Sequence, residues 1–210
     1  MPTIQEAQQW YPTLDPVHGF DHVLRVYKMA ERLAQTENAD LEIVRAAALL
    51  HDAEGSTPQN EHNRATHHEA SASFARTVLE AEGWPEARIA AVEHCIRAHR
   101  YRTTETPQTL EAQVLFDADK LDVLGAFGAA RTIAYAAQAH QPIYTQPSAQ
   151  FLTTGKKEPG EPHSSYHEYL FKLSRVKDRL FTAEAKQIAE TRHNFLVSFY
   201  EQIVSEANGE

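Results

Sequence analysis

Apolar residues recur three and four positions apart through most of this 210-residue chain, and no stretch shows the strict alternation of a half-buried strand. Val23, Val26, Tyr27, Ala30, Leu33 and Ala34 form one such stripe, which predicts an amphipathic helix from about Asp21 to Gln35. Asp40 offers an N-cap for a second helix, Leu41 to about Asp52. Glu54 to Arg64, with Gly55 and Pro58, reads as loop; Ala72, Ala75, Val78 and Leu79 then mark a third helix that Gly83 closes. Pro85 opens a fourth, with Ile89, Val92, Ile96 and His99 along one stripe. Beyond a polar loop ending at Pro107, a long helix begins near Leu110 on the seam Val114, Leu115, Ala118, Leu121 and Leu124. Upstream of all these, Ile4 to Trp10 reads as a short helix and Tyr11 to Pro16 as a turn-rich entry.

The pattern changes from Gln141 to Ser165, where Pro142, Pro147, Gly155, Pro159, Gly160 and Pro162 forbid a continuous helix. A loop of that length in a compact domain is either functional or an exposed excursion, and Lys156 and Lys157 make it a candidate to close over an anion. Two helices finish the chain, one on Tyr166, Leu170, Leu173, Val176 and Leu180, the other capped by Thr182 and striped by Ala185, Ile188, Phe195, Phe199 and Ile203. The expected fold is all-α, a single-domain helical bundle over residues 1–210 with its ligand site between facing helices.

Several polar residues sit where this pattern wants alkyl groups. Ala46-Ala47-Ala48-Leu49-Leu50 runs straight into His51-Asp52, and the His51 imidazole shares the buried register of Ala48, Ala47 and Val44. A buried aspartate must be paired or protonated, and a divalent cation is one partner for adjacent His and Asp; a hydrogen-bonded core histidine beside a helix-end aspartate is the plain alternative. Asp117, Asp119 and Asp122 crowd one segment. Asp117 and Asp122 read as a solvated acidic face, whereas Asp119, one turn beyond Leu115, falls on the seam.

Composition narrows the function classes. A net charge of -9 gives no broad basic surface for extended nucleic acid, though a local pocket for one phosphorylated small molecule is compatible with it. Cys95 is the only cysteine, which excludes a disulfide within the chain and a cysteine-rich zinc site. Neither a secretory leader nor an apolar run of the roughly 20 residues that cross a bilayer is present, so the cytoplasm is the expected location and no membrane partner is expected. Twelve histidines point toward metal chemistry.

His22 in the first turn of the first long helix, His51-Asp52 at the end of the second and Asp119 on the central helix supply two imidazoles and two carboxylates. That donor set suits Mn, Mg, Ni, Fe or Zn over a thiophilic metal. An ion so held lowers the pKa of its water and polarises a phosphoryl oxygen, the two requirements for phosphate ester or anhydride hydrolysis.

The ordered set His22-x-x-Arg25-Val26, Leu49-Leu50-His51-Asp52 and Asp117-Ala118-Asp119-Lys120-Leu121-Asp122, with Gly125 and Arg131 behind it, resembles the HD-domain metal-dependent phosphohydrolase superfamily, in particular its small bacterial stand-alone hydrolases. The likeness covers about Asp15 to Arg131, and His167, Lys172 and Arg192 fit the branch's usual ending. It implies a metal-binding core at 15–135, the loop 141–165 and a C-terminal helical pair at 166–205. It also implies one divalent ion on His22, His51, Asp52 and Asp119, with a nucleotide or related phosphorylated small molecule hydrolysed by a metal-activated water. His18 rivals His22 but precedes the helix and misses the His-x-x-Arg-Val spacing.

Around that ion, Asp52 is expected to serve catalysis as well as binding. Arg25, one turn from His22, is the candidate phosphate clamp, with a surface ion pair as its alternative. His68 and His99 are candidate phosphate contacts or acids, Lys120 a substrate contact or a partner of Asp122, and Glu54 the nearest match to an acidic catalytic residue, one position short of the expected spacing. Two other classes use the same residues: a nucleotide-sensing metal module that does not cut its ligand, and a di-iron oxygenase in which His68 and His99 join a second metal.

Overall fold

The computed structural model describes residues 1–11, 17, 19–54, 61–100 and 105–210, without the side chains of 61–66. The Pro12–Pro16 turn, the Gly55–Asn60 part of the expected loop and residues 101–104 lie outside them. Ten α-helices and no strand occur among the described residues, so the fold is all-α. In chain order they are α1 (Ile4–Ala7), α2 (Phe20–Glu37), α3 (Leu41–Leu50), α4 (Glu61–Ala81), α5 (Glu86–Ala98), α6 (Leu110–Leu121), α7 (Gly125–Gln138), α8 (Ala149–Thr154), α9 (Ser165–Phe171) and α10 (Ala183–Ala207).

The chain forms two compact units, one of Met1–Lys120 with Leu180–Ala185, the other of Leu121–Arg179 with Lys186–Glu210. The first unit is organised around α3. Ala46, Ala47, Ala48, Leu49 and Leu50 are all fully buried, and α1, α2, α4 and α5 pack against this one helix. Three consecutive alanines let four neighbours come close around its C-terminal half, which is apolar on every side. Its start is fixed by Asp40, whose carboxylate accepts from the backbone N–H of Glu42 and Ile43 at 3.0 and 3.2 Å and is forked by Arg88 at 2.9 and 3.0 Å.

Helix α4 starts at Glu61, several residues earlier than the sequence pattern predicts. The Glu61–Arg64 stretch has no apolar marker to betray it, yet it contains neither proline nor glycine, so nothing in it resists the helix.

The acidic segment on α6 is not a solvated face. Asp117 is fully buried and accepts from the N–H of Phe181 and of Thr182 and from the Thr182 hydroxyl, the last two at 2.7 Å. Asp122 is buried in the second unit and takes Arg131 at 2.9 Å. Both buried carboxylates are satisfied by hydrogen-bond donors of the protein, a role that a sequence pattern of clustered charge does not distinguish from solvation.

The second unit holds the broken end of the expected long helix. After α6 the backbone at Leu124 is extended and Gly125 takes a φ of +69° before α7 begins. The expected penultimate helix ends at Phe171; two 3-10 turns follow, Leu173–Arg175 and Lys177–Arg179. Leu173 and Val176 are buried regardless, because a spacing of three suits the tighter 3-10 winding as well as the α-helix. Within 141–165 the proline-broken loop contains α8, capped by Ser148 and closed by Gly155 at φ +70°. Glu161 ties that stretch together by accepting from Ser148 N, Ser148 Oγ and Glu158 N at 2.7–2.8 Å. Tyr169 and Tyr200 stack at 4.4 Å in the interior of this unit.

Candidate metal centre

The metal-ligand and catalytic candidates all belong to the first unit, whereas Lys156 and Lys157, the candidate anion contacts, belong to the second. His22 enters from the first turn of α2, where the apolar stripe puts Val23 and Val26 in the core and leaves the imidazole 1% exposed. His51 caps the C-terminal end of α3, Asp52 follows it, and Asp119 comes from the last turn of α6. His22 Nε2 lies 3.5 Å from Asp119 Oδ1 and 4.0 Å from Asp52 Oδ2; His51 Nε2 lies 3.7 Å from the same Asp52 oxygen. One ligand atom each of His22, His51 and Asp52 falls within a mutual 4.8 Å, and Asp119 reaches the group through His22.

A local rule orients two of the imidazoles. His51 and His99 each stand at the C-cap of a helix, α3 and α5, and each turns Nδ1 back to a carbonyl three residues earlier: Ala48 at 2.8 Å and Ile96 at 2.5 Å. Donation from Nδ1 fixes the proton there and leaves the Nε2 lone pair facing inward, the tautomer a cation needs. Both Nε2 atoms converge on Asp52, His99 at 3.5 Å from Oδ1.

His67 joins them at 3.4 Å from the same oxygen, so Asp52, His67 and His99 make a second group within 4.8 Å. Sequence reasoning passed over His67 in favour of His68. His68 is buried and continues the stripe of Ala72, Ala75 and Leu79, whereas its neighbour sits at the stripe's edge. That edge position is the signal that could have found it.

The charges explain each other. Burial alone would raise the Asp52 carboxyl, but His51, His67 and His99 around it hold it well below the usual carboxylate range. Burial is likewise outweighed at Asp119, first by Lys120, whose ammonium contacts it directly, and then by His22. Lys120 also lies 5.3 Å from the Phe116 ring centroid, so its place beside Asp119 is fixed by packing as well as by charge. Burial lowers His51, with Asp52 opposing.

Burial first, and then His67, depress the His68 imidazole to about 4. A histidine kept neutral in this way stabilises the fold above its ordinary pKa of 6.5, and that contribution is lost as pH falls from about 6.5 toward 4, because the unfolded chain takes the proton first. Metal-free protein is therefore expected to melt at progressively lower temperature across this window, and His68→Gln to flatten part of the dependence. A melting temperature indifferent to pH between 6.5 and 4 in both proteins would refute the assignment.

Arg25, three residues on from His22 in α2, is half-buried and pairs with Asp21 at 2.7 Å. Glu54 has an exposed side chain, and it is its backbone N–H and carbonyl that are held, by the buried Ser71 hydroxyl at 3.1 and 3.2 Å. His18 lies outside the described residues.

Two atoms test whether this donor set fits a cation. His51 Nε2 and Asp52 Oδ1 are buried and have no hydrogen-bond partner among the described residues. The nearest imidazoles stand 3.4 and 3.5 Å from Asp52 Oδ1, electrostatic contacts in place of hydrogen bonds. Leaving a buried lone pair and a buried carboxylate oxygen unsatisfied is expensive, and both are donor atoms of the kind a divalent cation takes. The residues fit the group.

No helix among the described residues is long and apolar enough to cross a membrane. The family model of the HD domain matches residues 19–124, which contain every side chain of both ligand groups. An uncharacterized protein of Bacillus subtilis strain 168, YpgQ, is 30% identical over 197 residues, 91% of this chain and 85% of that one. A crystal structure of Bacillus subtilis YpgQ in complex with ADP aligns at 27% identity with a TM-score of 0.74, covering 97% of both chains. One of an HD-superfamily hydrolase from Bacillus thuringiensis aligns at 30% identity with a TM-score of 0.67, covering 92% of this chain and 88% of that one. With its match beginning at the helix that carries His22 and ending just past Asp119, the chain belongs to the HD-domain family.

Proposed function

We propose that this protein is a metal-dependent phosphohydrolase that acts on a nucleotide or a related phosphorylated small molecule. The observation that carries the reading is the pair of orphaned atoms, His51 Nε2 and Asp52 Oδ1, at the convergence of His22, His67, His99 and Asp119. The ADP seen in the YpgQ complex supports the nucleotide class.

His22, His51, Asp52 and Asp119 would hold the divalent ion, which could be Mn, Mg, Ni, Fe or Zn. When bound, it supplies Lewis acidity toward a phosphoryl oxygen and a water of lowered pKa. The chain's own residues do the rest. Lys120 keeps the Asp119 carboxylate ionised and in place. The Ala48 carbonyl holds His51 in its ligating tautomer. Arg25, released from Asp21, is the guanidinium nearest in sequence to His22 and can clamp an incoming phosphate by a bidentate pair. His99 sits against Asp52 with its Nδ1 proton given to the Ile96 carbonyl, so it can hand a proton to a leaving oxygen from Nε2 only as the imidazolium.

Reconstituting metal-free protein with each candidate ion and presenting nucleotides and phosphoesters tests the reading. Release of phosphate or pyrophosphate is expected from the wild type and not from Asp119→Ala. Turnover no greater than that variant's would refute it. A melting temperature raised by ADP without product would instead favour a nucleotide-sensing module.

The second ligand group favours one further reading: Asp52 shared between two ions, with His67 and His99 completing the second site, as in a di-iron oxygenase. Elemental analysis separates the two, because two equivalents of iron per chain favour it and one equivalent of any metal dismisses it.

A further inference from the structure

We infer that Tyr11 is a positioning residue that fixes the His51-Asp52 turn in register with His22; the inference rests on the metal reading given above. Tyr11 lies outside the stretch that the family model matches, in the N-terminal segment before α2.

It is nonetheless buried, 5% exposed, and touches both helix ends that present the ligands. Its hydroxyl donates to the Leu49 carbonyl at 2.8 Å, in the last turn of α3. Its ring leans on Phe20 at 5.6 Å between centroids, and Phe20 is the first residue of α2, two before His22. Trp10 anchors the same segment from the other side, edge-on to Phe74 of α4 at 5.3 Å.

The last carbonyls of a helix lack an N–H partner within it. At the end of α3 three of them are answered individually: Ala48 by His51 Nδ1, Leu50 by the Ala53 N–H at 3.3 Å, and Leu49 by Tyr11. The first two answers come from the turn itself and move with it. Of these three answers the Tyr11 bond is the one that comes from a different element, and the same side chain abuts the start of α2; further along the turn, Ser71 of α4 holds Glu54. Losing the hydroxyl leaves a buried carbonyl unpaired and lets His51 and Asp52 shift together relative to His22. Supports of this kind behind metal ligands alter metal affinity by about 10- to 100-fold.

The test is Mn titration of metal-free wild type, Tyr11→Phe and, as a control for loss of a buried phenol elsewhere, Tyr200→Phe, read by calorimetry. Amide hydrogen exchange at Asp52 and Ala53 in the metal-free proteins is the second readout. Tyr11→Phe is expected to bind about tenfold more weakly or worse and to exchange faster at those two amides, with Tyr200→Phe unchanged. Equal affinity and equal exchange in Tyr11→Phe and wild type would overturn the role of Tyr11 while leaving the metal centre standing; a wild type that takes up no ion overturns both. Should Tyr11→Phe fail to fold, Phe20→Leu replaces it, since it keeps the hydroxyl and removes the ring beneath it: weaker Mn binding upholds the inference, unchanged binding overturns it.

Discussion

Asp52→Asn is expected to lower kcat/KM by about three orders of magnitude, roughly 4 kcal/mol of lost transition-state stabilisation. No other side chain is shared by both ligand groups, and its two oxygens lie between 3.4 and 4.0 Å from His22, His51, His67 and His99. Asparagine keeps the shape and one acceptor oxygen but removes the charge that four imidazoles face, and its amide turns a donor toward them. Metal content after dialysis should fall together with activity, while the melting temperature of the metal-free variant changes far less than the rate. A variant that retains a tenth of wild-type activity with full metal content would remove Asp52 from the centre of the mechanism.

The parts of the site that the sequence disclosed are those in which a polar residue interrupts an apolar register. His51 and Asp119 stand where the helical stripe calls for an alkyl side chain and His22 stands beside one, and each is 8% exposed or less. The helices disclosed themselves in the same way: α2 and α3 occupy Phe20–Glu37 and Leu41–Leu50, close to the stretches their stripes mark. What stayed hidden depends on direction within a turn or on partners far along the chain. His67 and His68 are adjacent, so composition cannot separate them, and the choice lies in about 100° of helical rotation. Tyr11 and Leu49 are 38 residues apart and Asp117 and Thr182 are 65 apart; neither pairing leaves a periodic trace. The break after Phe171 was hidden because the i, i+3 spacing of Leu170, Leu173 and Val176 satisfies both the α and the 3-10 helix.

Asp117→Ala is expected to cost about 3 kcal/mol of stability and to lower the melting temperature by about 6 to 12 °C in a chain of this size. Its carboxylate accepts from the Phe181 N–H at 3.0 Å and from the Thr182 N–H and hydroxyl at 2.7 Å, immediately before α10 starts at Ala183. Alanine deletes the acceptor and leaves those donors in place, and at Thr182, 4% exposed, the desolvation penalty of the N–H and hydroxyl is felt in full. Asp117→Asn retains one acceptor oxygen and should lose about half as much, which separates loss of hydrogen bonds from loss of volume. The Phe116–Phe181 edge contact at 5.2 Å flanks the same junction and remains available to both variants, so thermal melts and not gross misfolding should report the difference. If alanine and asparagine melt together at the wild-type temperature, the buried carboxylate is not what holds the start of α10, and the aromatic pair is the better account of that junction.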